Sequence, residues 1–97
     1  MDIQKYLERI RKISKEDVES TILSLIEETG EVAKAFNVER GSKTAKLKEN
    51  TPQETVDVLA IALEIFSKYE WTEEDIETYL NKKLNKWEKN VMEKQNG

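Results

Sequence analysis

The chain has 97 residues, a net charge of −4 at pH 7 and a pI near 5.0, which leaves room for one domain and argues against duplex nucleic acid, whose phosphates require a basic face. It contains no cysteine and no histidine, which excludes disulfides, thiol and imidazole nucleophiles, and metal centres built on those ligands. With 3 glycines and 1 proline against 37% charged and 37% hydrophobic residues, the composition is that of an all-α protein, because sandwiches and α/β folds need more turn residues.

In "DIQKYLERIRKI", Ile3, Tyr6, Leu7, Ile10 and Ile13 recur at helical spacing and predict a short amphipathic helix. Ser14, with Asp17 three residues on, reads as the N-cap of a second helix that runs to about Asn37, with Val18, Ile22, Leu25, Ile26, Val32, Ala33 and Phe36 on its apolar stripe. The polar stretch "VERGSKTAKLKENT" has no period and reads as a long connection, a length that tends to be functional or mobile. Pro52 suits the first turn of a third helix, which is apolar on almost every side from Val56 to Phe66 and is therefore expected at the centre of the fold. Thr72 and Asp75 cap a last helix bearing Ile76, Tyr79, Leu80, Leu84, Trp87 and Val91, with residues 92–97 expected to fray.

The expected architecture is a single all-α domain over residues 1–97, a four-helix module. So small a core buries only about 60 to 65% of its unfolded surface, and a partner subunit is expected to complete it. No apolar run approaches the roughly 20 residues of a membrane span, and the first residues lack a signal-peptide core, so no membrane partner and a cytoplasmic location are expected.

Two pairs of acids interrupt stripes that should be buried. Glu28 lies at the border of the second helix's apolar stripe with Glu31 three residues on, while Glu27 projects about 100° away from Glu28. Glu54 and Asp57 repeat the spacing in a helix that offers no basic residue from Val56 to Ser67. A buried carboxylate without a partner costs several kcal/mol, so something cationic must compensate. One reading is a solvated charged face; the other is that both pairs surround one or more divalent ions, with an oxygen-only donor set that suits Mg²⁺ and its usual substitute Mn²⁺. Gly30, costly in a helix by about 1 kcal/mol, would remove bulk where a helix or ligand approaches.

Glu27-Glu28-Thr-Gly-Glu31, followed after 22 residues by Glu54-Thr-Val-Asp57, resembles the EExxE and ExxD signature of the MazG-like, all-α nucleotide pyrophosphohydrolases. The similarity covers roughly residues 18 to 90 and includes "DVLAIALEIF" after the second pair. It implies Mg²⁺-dependent hydrolysis of a nucleoside triphosphate between the α and β phosphates, giving a monophosphate and pyrophosphate. On the matching positions Glu28, Glu31, Glu54 and Asp57 would be metal ligands and Glu27 would orient or deprotonate the attacking water. The triphosphate needs cations, for which Lys34, Arg40, Lys43, Lys83 and Lys86 are available, with Asn90 beside them. The family's Lys/Asn-rich segment ends in arginine, whereas "NKKLNKWEKN" has none. Trp71, at a helix junction, is the candidate platform for the base. In the family two or more chains normally associate, so the resemblance implies a homodimer or a tetramer of paired dimers. Two alternatives are a phosphoribosyl-ATP pyrophosphohydrolase, whose Tyr-His pair is absent from "DVLAIALEI", and a non-catalytic helical dimer that binds another protein.

Overall fold

The computed structural model describes residues 1–41 and 49–96, and the chain is all-α there, with no strand among the described residues. Helices α1 (Ile3–Ile13), α2 (Val18–Glu39), α3 (Thr51–Lys68) and α4 (Glu73–Asn96) follow in chain order. None is long and apolar enough to cross a membrane.

Local chemistry accounts for each boundary. Asp2 opens α1 by accepting the Lys5 N–H at 3.1 Å, and Arg11 and Lys12 lie in its last turn, where the helix dipole favours cations. The expected N-cap at Ser14 is displaced: the Ser14 N–H donates to the Ile10 carbonyl and closes α1, and Asp17 caps α2 by accepting the Ser20 N–H at 2.7 Å. That hydrogen bond holds the Asp17 carboxyl below the usual carboxylate range. Asn50 and Gln53 form a capping box ahead of α3, with Pro52 in its first turn as expected. At the far end Glu70 takes a left-handed conformation, φ 59°; its N–H donates to the Ser67 carbonyl and the Trp71 N–H to that of Phe66, a Schellman closure. Thr72 and Asp75 then bond reciprocally to start α4, as anticipated. Helical backbone continues to Asn96, five residues past the end of the apolar pattern at Val91.

Helix α3 is central, packing against α2 and α1, while α4 is tied chiefly to α1: the Glu73 carboxylate accepts the Ile3 N–H and the Glu73 N–H donates to Gln4. The buried side chains include Leu7, Ala35 and Leu63, with Thr21 and Ser67 among them. On α2 this departs from the expected stripe. Ile26 is 64% exposed and Phe36 45%, whereas Thr21 and Ala35 are fully buried. Two small residues let α3 approach closely, and the Thr21 hydroxyl turns that face inward by donating to Glu64 Oε1 at 2.8 Å, with the Asp17 carbonyl as a second acceptor at 3.0 Å. At the other end Glu39 accepts from both the N–H and the hydroxyl of Thr51, at 2.7 and 2.6 Å.

Gly30 does not mark a close approach among the described residues, since a methyl group built there meets none of their atoms within 4 Å. Gly30→Ala is therefore expected to stabilise the fold by about 0.5–1 kcal/mol, read as a higher Tm; a lower one would mean that an occupant of that space exists in solution. Thr21→Val keeps shape but strands the Glu64 carboxylate, and denaturant unfolding should register a loss of about 1–3 kcal/mol, with Thr21→Ser close to the parent chain.

Candidate metal centre

The register of α2 against α3 builds the site. Thr21 faces Glu64 across the interface. Two turns further along α2 and two turns back along α3, the same antiparallel register sets Glu28 opposite Asp57, and one turn further Glu31 opposite Glu54. Because Glu28 falls within about 20° of Thr21 around the helix axis, it shares the packing face rather than the solvent face. Glu28, Glu54 and Asp57, all half-buried, each place one carboxylate oxygen within 4.8 Å of the other two. Like charges at that separation repel, and no ammonium or guanidinium among the described residues forms an ion pair with them.

Titration reflects this crowding. The Glu28 carboxyl is raised above its ordinary value first by partial burial, then by Asp57, Glu27, Glu31 and Glu49. Glu54 is raised first by partial burial, then by Glu49, Asp57, Glu31 and Glu28. The five acids named in the signature are thus one electrostatic unit, but Glu27 and Glu31 are exposed and lie outside the three-oxygen group. Glu49 is an addition that sequence reasoning missed. It immediately precedes the Asn50 cap, and an acid just ahead of a helix whose first turn carries Glu54 was its signal.

The residues expected to hold a substrate are more scattered. Lys34 and Arg40 lie on and just beyond α2, about 9 and 18 Å from Glu28 along its axis, and the Arg40 guanidinium sits over the Phe36 ring at 5.2 Å. Lys43 lies outside the described residues. Trp71 is half-buried between Phe66 and Tyr79, ring centroids 5.4 and 5.3 Å away. It shares with Lys83 a cavity formed by α1, α3 and α4, on the face of α3 that carries Leu59, Leu63 and Phe66. By helical rotation that face is roughly 180° from the one carrying Glu54 and Asp57. Lys86 and Asn90 are exposed on α4. Within one chain, then, Trp71 and Lys83 line a cavity that does not include the acids.

Hard oxygen donors, convergence and absence of a covalent or ionic neutraliser among the described residues together fit a divalent cation at Glu28, Glu54 and Asp57, with Glu31 in reach of the same field. Protonation is the other way to relieve the repulsion. A carboxyl raised on folding withdraws stability while ionised and returns it on protonation, so Glu28 and Glu54 favour folding as pH falls from neutrality through their raised values. Asp17 and Glu39, held low by hydrogen bonds, act oppositely, and their stability is lost only as pH falls through and below the ordinary carboxylate range. The metal-free chain should therefore show a Tm that rises as pH drops from about 7 toward the ordinary carboxylate range and then declines; a steady decline from neutrality would contradict the crowding, and Glu54→Gln should reduce the rise, leaving the part that belongs to Glu28.

Comparison of the chain with protein-family models, with curated proteins and with solved structures found no match in any of the three.

Proposed function

We propose that the chain is a MazG-like nucleotide pyrophosphohydrolase that cleaves nucleoside triphosphates of the cytoplasmic pool between the α and β phosphates, in a homodimer. The observation that carries the reading is the convergence of Glu28, Glu54 and Asp57, three acids of the EExxE and ExxD signature, from two helices onto one point. An acidic cluster alone has many uses. Its order in sequence, the spacing of both halves and the register that brings them face to face narrow them.

Glu28, Glu54 and Asp57 would hold Mg²⁺ or Mn²⁺, with Glu31 as a fourth carboxylate at the rim. The bound cation supplies charge neutralisation at the phosphates and a lowered pKa for coordinated water. Glu27, exposed and one residue from Glu28, would accept the proton of the attacking water from the flank of the site. Partial burial of Glu28 and Glu54 would strengthen their charge interactions with a bound cation. Pyrophosphate leaves with several negative charges. Lys34, the nearest cation along α2, would meet it, with Arg40 further out.

A screen of canonical and base-modified (d)NTPs for pyrophosphate release tests the reading. At least one nucleotide should be turned over with Mg²⁺ or Mn²⁺. Glu28→Gln and Asp57→Asn should abolish turnover while circular dichroism remains unchanged and the Tm of the metal-free chain holds or rises. Glu27→Gln should lower kcat by about 10²–10⁴ with little effect on KM. A chain that releases pyrophosphate from no nucleotide, with either ion, is not this enzyme.

A further inference from the structure

Glu54 sits in the first turn of α3, where a helix is held least by its own hydrogen bonds. The carboxylates of Glu49, Asp57, Glu31 and Glu28 all push on it. The capping box of Asn50 and Gln53 satisfies backbone groups inside that turn but reaches nothing on α2. Among the described residues, hydrogen bonds join α2 to α3 at two places, Thr21 with Glu64 and Glu39 with Thr51. The first lies about 15 Å along α3 from Glu54, and the second about 4.5 Å.

The geometry of α2 explains how Glu39 arrives there. Glu39 is 18 residues, five full turns, from Thr21, so it stands on the same line of the helix, with Glu28 within about 20° of both. Helical side chains lean toward the N-terminus, so Glu39 reaches back over Ala35, which is 1% exposed and small enough to admit the start of α3. One carboxylate oxygen accepts the Thr51 N–H at 2.7 Å and the other the Thr51 hydroxyl at 2.6 Å. Both oxygens are committed to Thr51, and neither belongs to the three-oxygen group of Glu28, Glu54 and Asp57.

We propose that Glu39 is a positioning residue for the metal centre: by gripping both donors of Thr51 it locks the first turn of α3 to α2 and holds Glu54 at the site against the repulsion of the other acids. It acts through Thr51 and touches no ion. The grip needs an ionised carboxylate, since each oxygen must accept, and the two hydrogen bonds keep Glu39 in that form by holding its carboxyl below the usual range. Outer partners of this kind change metal affinity by about 10–100-fold without contributing a ligand. The inference rests on the cation proposed at Glu28, Glu54 and Asp57 and not on nucleotide hydrolysis.

Mn²⁺ titration of the whole chain, followed by the electron paramagnetic resonance of the free ion, tests it. Glu39→Ala should weaken Mn²⁺ binding by about 10–100-fold with helicity unchanged. Glu39→Gln, which accepts through one atom only, should fall between Glu39→Ala and the parent chain, and Thr51→Ser, which keeps both donors, should bind like the parent. Lys68→Met cuts the ties to Ser14 and Glu16 at the other end of α3; it should lower the Tm and leave Mn²⁺ affinity unchanged. Equal affinity in Glu39→Ala and the parent chain, or an equal loss in Lys68→Met, overturns the positioning role and leaves the cation in place. A parent chain that binds no Mn²⁺ overturns both together. Mn²⁺ affinity that follows Glu39 in a chain that hydrolyses no nucleotide supports the positioning role while the hydrolase reading fails.

Discussion

The hydrogen bond between Thr21 and Glu64 is the constraint from which the rest of the arrangement follows. It is buried on the Thr21 side, so it has one geometry in which it is satisfied, and a slip of α2 along α3 would leave a carboxylate or a hydroxyl without its partner. Apolar packing alone would tolerate such slips better, since ridges of Leu, Ile and Val interlock at several offsets. Glu39 performs the same service at the opposite end by gripping both donors of Thr51. Between these two polar clasps, repelling acids are held together by bonds made elsewhere.

That division between where stability is made and where it is lost is common at functional sites. Partial burial and the neighbouring acids raise the Glu28 and Glu54 carboxyls, and the helices that carry them stay paired around the buried Thr21, Ala35 and Leu63. Lys68 adds a further tie, donating to Ser14 and to the Glu16 carbonyl, and so fixes the turn between α1 and α2 to the end of α3. The half-burial of Glu28, Glu54 and Asp57 follows from the same geometry: they face the neighbouring helix between the two clasps.

Helical periodicity, Pro52 and the Thr72–Asp75 pair made the four helices legible, as did the central place of α3. The pairing of acids on each helix was legible too, because three-residue spacing is a local property, whereas the approach of Glu28 to Glu54 and Asp57 depends on the register of α2 against α3. What periodicity missed depended on a neighbour. Ile26 and Phe36 satisfy the apolar pattern as well as Ala35 does, and only the close approach of α3 selects the small residues for burial. Ser14 and Asp17 are both good caps, and the choice fell to Asp17 because α1 had already used Ser14 to close. Glu70 gave no warning of a left-handed residue, since glycine or asparagine normally marks that position. The separation of Trp71 and Lys83 from the acids could not be read from their order, because it depends on which side of α3 receives α4.

The intervals from Thr21 to Glu28 and from Asp57 to Glu64 are both seven residues, two turns of helix. One residue inserted into either would rotate an acid by 100° out of the cluster while leaving the clasp intact. The stretch between Glu39 and Thr51 is under no such rule, since the clasp holds its two ends whatever its length. Chains built on this plan would then keep those two spans invariant in length and accept insertions between them, so the positions at which length varies would themselves trace the outline of the site.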